Sequence, residues 1–335
     1  MRYVEVSGVR LSVIGLGTWQ FGSREWGYGA HYAQEESRQI LARAVDLGIN
    51  LIDTAEMYAF GRSERIVGKG IAERRSDVFI ATKIFPLLPV SAVVEQRAKA
   101  SRSRLGVDAI DLYQVHWPNP VVPMRTTMDG LGHLLDSGIV HHVGVSNFSL
   151  AQWQQAESLL GRPVLSNQVR FNLLDRRPEA ELVGWAQSHD RLIIAYSPLA
   201  QGLLSGRYDV DHRPSGLRSM TPEFLPENLR RVGPLLSVLR EVAEAHGATL
   251  SQVALAWVVS HPNVVAIPGA SSVAQLEANA AAGDIELGED EIAALSAASD
   301  HYIPVRGLSA TAGLARMMAE RAGLDRLIGS RSGHS

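Results

Sequence analysis

The residues Val78-Phe79-Ile80-Ala81-Thr82-Lys83 show a pattern that the rest of the chain repeats. A short, mostly apolar run ends in a polar residue, which is typical of a strand in a parallel sheet that is covered on both faces. Similar runs occur at residues 13–15, 51–53, 112–116, 143–147, 164–168, 192–196 and 264–267. The sequence therefore predicts a series of short, buried strands.

Helical patterns lie between the predicted strands. Residues 35–47 carry apolar side chains along one stripe, as the buried face of an amphipathic helix does. Ser149 with Gln152, and Thr249 with Gln252, have the spacing of a capping box, in which two side chains satisfy free backbone N–H groups at the start of a helix. Strands that alternate with helices predict an α/β protein.

Two architectures fit this alternation: a closed (β/α)8 barrel, or TIM barrel, and an open, doubly wound sheet. Two features favour the barrel. Polar residues recur at the strand ends at nearly regular intervals, and the first strand lacks a dinucleotide-binding fingerprint, because Gln20 stands where the third glycine is needed. No linker-like stretch interrupts the series, so a single domain over residues 1–335 is predicted.

Three segments are longer than simple connections. They are the loops at about residues 18–32 and 200–226 and a C-terminal extension at about residues 300–335. Long loops on a regular scaffold typically cover a binding or catalytic site.

The composition excludes several classes of protein. The 32 basic residues nearly balance the 35 acidic ones, which argues against a nucleic-acid-binding protein. With no cysteine, the chain has no disulfide and no zinc–thiolate site, and His141-His142 lacks a metal-site spacing, so no metal is expected. The first residues do not resemble a signal peptide, and no apolar run is long enough to span a membrane. A cytoplasmic protein without a membrane partner is expected.

Polar side chains at three successive strand ends form a candidate active site. Asp53, Lys83 and His116 each end a predicted strand, and Tyr58 lies in the loop after Asp53. In a barrel these ends converge on one face, where catalysis takes place. Lys83 is the strongest signal, because the chain has only three lysines and this one follows a mostly apolar strand.

These four side chains are suited to proton transfer to a carbonyl oxygen. A free phenol has a pKa of about 10; a nearby lysine lowers that pKa, and an aspartate keeps the lysine charged and in place. A neutral imidazole can orient the substrate oxygen, and a cofactor has to supply the hydride. Each residue also has an ordinary alternative role: a turn cap for Asp53, packing for Tyr58, a structural hydrogen bond for His116.

The chain resembles the aldo-keto reductase superfamily from about residue 3 to about residue 298. Several motifs carry the resemblance in the same order: residues 51–64, Thr82-Lys83, His116-Trp117-Pro118, residues 144–148, Asn167-Gln168, residues 195–199 and residues 267–270. The resemblance implies a (β/α)8 barrel that reduces aldehydes and ketones with NADPH. It also implies a catalytic set of Asp53, Tyr58, Lys83 and His116, with Tyr58 as the general acid.

The resemblance further implies contacts with the cofactor: amide and hydroxyl groups for the nicotinamide carboxamide, an aromatic ring stacked on the nicotinamide, and a loop around the pyrophosphate. The residues so implied are Gly17, Thr18, Trp19, Asp53, Ser146, Asn147, Gln168, Tyr196, Ser197, Pro198, Leu199, Gly202, Leu204, Arg207, Pro268, Gly269, Ser271, Gln275 and Asn279.

The sequence departs from the family at the adenosine end of this site. Many members carry a lysine and an arginine that bind the 2′-phosphate of NADPH, whereas Gly269, Ser272 and Gln275 stand at about those positions here. Hydroxyls and helix N–H groups are able to bind a phosphate in their place. NADPH is the expected cofactor, and NADH stays open.

We expect Trp19, Trp26, Tyr28 and Trp117 to wall the pocket of a small carbonyl substrate with an apolar body. The leading hypothesis is an NAD(P)H-dependent carbonyl reductase. One alternative is an NAD-dependent sugar or polyol dehydrogenase on the same fold, and the other is a cofactor-binding regulatory subunit that resembles the β subunits of potassium channels. The sequence does not indicate the oligomeric state.

Overall fold

The computed structural model describes residues 1–23, 28–29, 34–214, 218–219, 221–307 and 311. Strands β1 (Tyr3–Val6) and β2 (Val9–Ser12) pair in an antiparallel hairpin. The next eight strands form one parallel sheet. They are β3 (Leu16–Gly17), β4 (Leu51–Asp53), β5 (Phe79–Ile84), β6 (Ile110–Val115), β7 (Val140–Ser146), β8 (Ser166–Arg170), β9 (Leu192–Tyr196) and β10 (Val264–Ala266).

Helices alternate with these strands. The α-helices of the described residues are α1 (Gln34–Asp46), α2 (Arg62–Ile71), α3 (Ser91–Leu105), α4 (Met124–Asp136), α5 (Leu150–Leu160), α6 (Gly184–Ser188), α7 (Pro226–Arg231), α8 (Gly233–Ala245), α9 (Leu250–Val259), α10 (Val273–Ala281) and α11 (Glu289–Asp300). None of them combines the length and the apolar character that a bilayer crossing requires. The predicted capping box of α5 is confirmed, since Ser149 Oγ accepts from Gln152 N–H at 3.3 Å and Gln152 Oε1 accepts from Ser149 N–H at 2.9 Å.

The parallel sheet closes on itself, which confirms the predicted (β/α)8 barrel. The strands lie in chain order from β3 to β10, and the two edges are joined by Gly15 N–H, which donates to the Ala266 carbonyl at 2.7 Å, and by Gly17 N–H, which donates to the Pro268 carbonyl at 3.1 Å. A side chain at Gly17 would place its Cβ 2.7 Å from the Ile267 carbonyl oxygen. Glycine is therefore required where the barrel closes.

The first barrel strand begins at Leu16, slightly later than the predicted run at residues 13–15. These earlier residues still take part in the closure, because the Val13 carbonyl accepts from Ala266 N–H at 2.9 Å. They face only the last strand, whereas Leu16 and Gly17 pair with β4 and Gly17 also bonds the residues that follow the last strand. The start of the first strand therefore differs from the prediction because hydrogen bonds to the last strand begin at Val13, whereas pairing with β4 begins only at Leu16.

The hairpin marks the amino end of the barrel, and the strand pattern used above does not predict it. Gly8, with φ 77°, supplies the left-handed conformation that its tight turn needs. Val6 and Leu11 are buried in one apolar cluster with Leu51 and Leu192, the first residues of β4 and β9. This end of the barrel is therefore filled by apolar side chains, and the polar strand-end residues lie at the opposite, carboxyl end.

The described chain divides into two compact units. The first consists of Met1–Leu199 and Gln252–Gly288 and contains the barrel strands. The second contains Ala200–Ser251 and the segment that begins at Glu289, and within it α8 packs against α11. The single domain over residues 1–335 stays a prediction.

Parts of the three predicted elaborations lie outside the described residues. These parts are residues 24–27 and 30–33 of the first loop, residues 215–217 and 220 of the second, and residues 308–310 and 312–335 of the C-terminal extension.

Gly68 on α2 lies against the end of α3, where an added Cβ would come 2.1 Å from the Leu105 carbonyl oxygen. We expect Gly68→Ala to lower the free energy of unfolding by about 1–3 kcal/mol, the usual cost of overpacking a core. Urea denaturation followed by circular dichroism measures this change.

Gly132→Ala on α4 is the matched control, because the nearest atom to its added Cβ is Leu160 Cδ1, 3.9 Å away. Here the better helix propensity of alanine should leave stability unchanged or raise it by up to ~1 kcal/mol. Equal losses in the two variants would contradict the packing explanation.

Candidate active site

A buried lysine at the carboxyl end of the barrel forms hydrogen bonds with three neighbouring oxygen atoms. Lys83 on β5 has no exposed surface. Its Nζ donates to Asp53 Oδ1 at 2.6 Å, to the Thr54 carbonyl oxygen at 2.9 Å and to the Tyr58 hydroxyl at 3.1 Å. An ammonium has three donors, so each N–H has one acceptor. The geometry brings together Asp53, Tyr58 and Lys83 as the sequence predicts.

Asp53 ends β4 and is almost completely buried. Its Oδ1 accepts from Lys83, and its Oδ2 accepts from Gln168 Nε2 on β8 at 2.7 Å. A buried charge requires a partner and hydrogen bonds on its remaining lone pairs, and both conditions are met. Gln168, predicted only as a cofactor contact, also holds the carboxylate in place.

A cluster of hydroxyl groups fixes the backbone around these residues. Ser63 Oγ lies 2.8 Å from Thr18 Oγ1 and 2.9 Å from Thr54 Oγ1, and Thr18 Oγ1 donates to the Asp53 carbonyl oxygen at 2.9 Å. Ser63 Oγ also donates to the Thr18 carbonyl oxygen at 2.9 Å. The cluster thus orients the Thr54 carbonyl that accepts from Lys83. Sequence reasoning gives Ser63 no role of its own; its only signal is its place in the motif at residues 51–64, at the start of α2.

His116 directly follows β6, with 4% of its surface exposed. Burial, aided by the nearby positive charge of Lys83, lowers its pKa to about 2, so the ring is neutral at physiological pH. It stacks on Trp117 with ring centroids 3.8 Å apart. Its buried Nδ1 has no hydrogen-bond partner among the described residues. The ring is therefore a neutral polar group next to Tyr58, whose ring centroid lies 6.0 Å away.

Tyr58 is held between Lys83 and aromatic rings. Trp19 packs edge-on against it with centroids 4.9 Å apart. From the sequence, Lys83 is expected to lower the pKa of Tyr58, and it does act in that direction. Burial has the larger effect, however, and the pKa of the phenol is raised. Tyr58 therefore keeps its proton near neutral pH, which suits a proton donor.

The residues predicted to hold the nicotinamide carboxamide lie together near the carboxyl ends of β7 and β8, and Tyr196, predicted to stack on the nicotinamide, ends β9 beside them. Ser146 Oγ donates to the Gln168 carbonyl oxygen at 2.8 Å, and the Tyr196 hydroxyl donates to Asn147 Oδ1 at 2.9 Å. Asn147 adopts φ 62°, which asparagine tolerates, and its Nδ2 donates to the His116 carbonyl oxygen at 3.1 Å. These hydrogen bonds connect the residues predicted to hold the carboxamide to His116, one of the catalytic candidates.

A second polar group is formed by the residues between β10 and α10 together with side chains of α10 itself. Asn279 Nδ2 donates to the Gly269 carbonyl oxygen at 3.2 Å, and Gln275 Oε1 accepts from Ser271 N–H at 3.0 Å. Ser272 caps α10, because its Oγ accepts from Gln275 N–H at 3.2 Å. Hydroxyls and a helix N-terminus thus stand where the family's cations are missing.

The remaining predicted cofactor residues are divided between the two units. Ser197, with φ 48°, Pro198 and Leu199 end the first stretch of the barrel unit. Gly202, Leu204 and Arg207 belong to the second unit, in which Gly202 has φ 94°, Leu204 is buried and Arg207 is exposed.

Two of the four predicted substrate-pocket residues contact the catalytic candidates. Trp19, 46% exposed, contacts Tyr58, and Trp117 contacts His116. Tyr28 lies in the first long loop, where its N–H donates to the Ser23 carbonyl oxygen at 3.2 Å. Trp26 lies outside the described residues.

Comparisons with known proteins agree with this fold. Residues 13–300 match the Aldo/keto reductase family. An uncharacterized oxidoreductase of Mycobacterium tuberculosis is 53% identical over 306 residues, which cover 91% of this chain and 95% of that protein. The methylglyoxal reductase of Escherichia coli is 34% identical over 300 residues, covering 89% and 94%.

A crystal structure of an aldo/keto reductase from Klebsiella pneumoniae, in complex with NADP and acetate, matches with a TM-score of 0.72 at 31% identity and covers 92% of this chain and 98% of that one. The chain therefore belongs to the aldo/keto reductase family of oxidoreductases.

The depressed pKa of His116 predicts a pH dependence of stability. Its folded pKa is about 2, whereas a free histidine titrates near about 6.5. Below that pH the unfolded chain takes up a proton that the folded protein does not, so the free energy of unfolding decreases as the pH falls, by up to ~1.4 kcal/mol per pH unit. We expect His116→Gln to remove this contribution.

Urea denaturation of both proteins at several values between about pH 5 and pH 7.5 measures the slope of the unfolding free energy against pH. The variant should show a flatter slope below about pH 6.5, and the two slopes should agree above it. Identical slopes over the whole range would mean that His116 titrates normally in the folded protein.

Proposed function

We propose that this protein is an NADPH-dependent carbonyl reductase that converts an aldehyde or ketone to an alcohol, with Tyr58 as proton donor. The observation that carries the proposal is the buried Lys83 ammonium, which bonds Asp53 at 2.6 Å and Tyr58 at 3.1 Å. A structural role alone does not require a charged side chain in a barrel interior, since replacement of a buried ion pair by apolar residues of similar volume often leaves stability unchanged or raises it.

The residues of the chain divide the work of proton transfer. Tyr58 donates its proton to the carbonyl oxygen of the substrate, and the phenolate that forms is stabilised by Lys83 at hydrogen-bond distance. Asp53 keeps the ammonium charged and in position. His116 is neutral, so it orients the carbonyl oxygen by a hydrogen bond without repelling the Lys83 charge. Bound NADPH supplies the hydride that adds to the carbonyl carbon.

The donor groups of the barrel fit such a cofactor. Amide and hydroxyl groups of Ser146, Asn147 and Gln168 lie together and suit a neutral carboxamide. The Tyr196 ring is adjacent and suits stacking. Ser271 and the N-terminus of α10 suit a phosphate. NADP in the Klebsiella pneumoniae relative supports the same assignment.

Tyr58→Phe tests the proton donor. We expect single-turnover oxidation of bound NADPH by 4-nitrobenzaldehyde to slow at least ~100-fold, the usual contribution of a general acid. Binding of NADPH, measured by quenching of tryptophan fluorescence, should be retained because Tyr58 holds only the reacting oxygen.

Tyr113→Phe is the matched control. Tyr113 on β6 is fully buried, and its hydroxyl has no hydrogen-bond partner among the described residues, so the variant should react like the wild type. Normal turnover in Tyr58→Phe would refute the proposed donor. A wild-type protein that binds NADPH and turns over no carbonyl would instead support the regulatory subunit.

Gln275→Arg tests the adenosine end of the proposed cofactor site. The substitution places a cation at the start of α10, where charge-assisted contacts to a phosphate contribute about 1.5–3 kcal/mol. We expect the Kd of NADPH to fall about tenfold or more and the Kd of NADH, which lacks the 2′-phosphate, to change little. Fluorescence titration with each cofactor measures both constants.

Gln275→Met is the control, because it removes the same two side-chain hydrogen bonds from Ser271 without adding a charge. It should change the Kd of NADPH and the Kd of NADH by the same factor. If Gln275→Arg tightens NADH as much as NADPH, the 2′-phosphate does not lie at this helix.

A further inference from the structure

Large apolar side chains are exposed mainly in loops at one end of the barrel. Among the described residues these exposed side chains are Trp19, Phe60, Leu87, Leu88, Val90, Val121 and Ile303. All but Ile303 follow β3, β4, β5 or β6, which are neighbours in the sheet. Single exposed apolar residues are common, but a concentration in adjacent loops marks an interaction site. We call Trp19, Phe60, Leu87, Leu88 and Val121 the apolar arc.

Hydrogen bonds hold the loops of the apolar arc next to one another. Phe85 N–H, after β5, donates to Glu56 Oε1, after β4, at 2.5 Å. Asn119 Nδ2, after β6, donates to the Pro86 carbonyl oxygen at 2.7 Å, and Asn119 Oδ1 accepts from Val121 N–H at 2.8 Å. The three loops are therefore fixed to each other by polar groups, while their apolar side chains face water.

Two residues of the apolar arc occupy strained backbone positions. Phe60 has φ 54° with 95% of its surface exposed, and Leu88 has φ 49° with 64% exposed. The left-handed region disfavours bulky apolar residues and favours glycine or asparagine. Because these side chains are exposed, their burial does not offset the cost of the strained backbone. Backbone strain of this kind is typical of functional sites.

The apolar arc is continuous with the candidate active site. Trp19 contacts the Tyr58 ring at a centroid distance of 4.9 Å. On the other side, Phe85 of the second loop contacts Trp117 at 5.9 Å, and Trp117 stacks on His116. Aromatic contacts thus lead from the proton donor and the imidazole to the loops that carry the exposed apolar side chains.

We propose that the apolar arc binds the extended apolar part of the carbonyl substrate. The preferred substrates are then aldehydes or ketones with a long alkyl chain or a large aromatic body, whereas small polar carbonyls such as methylglyoxal reach only the reacting groups. The inference rests on the proposed reductase function and adds the substrate class to it. A protein partner on the same surface is the competing occupant, and the experiment below separates the two.

The kinetic experiment compares propanal, hexanal and decanal with saturating NADPH. Partial burial of each added methylene should lower KM by about twofold, up to about fourfold for complete burial, with kcat nearly constant. Phe60→Asn and Leu88→Asn should raise KM for decanal about fivefold or more and leave KM for propanal unchanged. Their melting temperatures should stay equal or rise, because asparagine is favoured at a left-handed position.

Ser7→Asn is the matched control, because it places the same side chain at a left-handed position, φ 49°, in the hairpin at the amino end of the barrel. It should leave every KM unchanged. A KM that is independent of chain length, or variants that match the wild type with decanal, would overturn the proposal even if propanal is reduced normally.

A binding experiment separates this proposal from the reductase function. Isothermal titration of 1-decanol into the protein with saturating NADPH should show weaker binding in Phe60→Asn and Leu88→Asn than in the wild type. That result without turnover of any aldehyde would support the apolar arc and refute the reductase. Equal decanol binding in all three proteins would overturn the proposal that the apolar arc binds substrate. A change in the molar mass of the two variants by light scattering, without a change in KM, would also overturn it and would indicate a protein partner on this surface.

Discussion

The buried ammonium of Lys83 is the constraint on which the carboxyl end of the barrel depends. A charge without access to water needs acceptors for every N–H, and removal of one partner of a buried pair typically costs about 3–5 kcal/mol. Asp53, Thr54 and Tyr58 supply those acceptors. Gln168 in turn satisfies Asp53. One charge thus fixes side chains from β4, β5 and β8, so the fold and the chemistry are set by the same bonds.

The same burial gives Tyr58 and His116 their protonation states. Removal from water disfavours the charged form of both groups, which raises the pKa of the phenol and lowers that of the imidazole. Lys83 adds to the effect on His116 and opposes the effect on Tyr58. The result is a neutral acid next to a neutral hydrogen-bonding ring, with a cation positioned to stabilise the phenolate once the proton leaves.

The sequence predicts the barrel, and it predicts which strand ends carry Asp53, Lys83 and His116, because both follow from the alternation of buried runs with polar residues. It does not reveal that burial raises the pKa of Tyr58 by more than Lys83 lowers it, since the burial of Tyr58 depends on residues that are distant in the chain. The sequence does not predict the hydroxyl cluster around Ser63 for the same reason, because Thr18 and Thr54 contact Ser63 only in the folded protein.

The two ends of the barrel use left-handed turns differently. At the amino end the short residues Ser7 and Gly8 take the left-handed positions of the hairpin turn, with φ 49° and 77°, and the neighbouring apolar residues Val6 and Leu11 are buried. At the carboxyl end Phe60 and Leu88 take comparable backbone positions and stay exposed. Folding alone favours short residues in left-handed positions and burial of the apolar side chains. The exposed, left-handed Phe60 and Leu88 therefore reflect a requirement that folding does not impose. A surface that desolvates the apolar part of a substrate meets that requirement, because it gains free energy only when the substrate covers it.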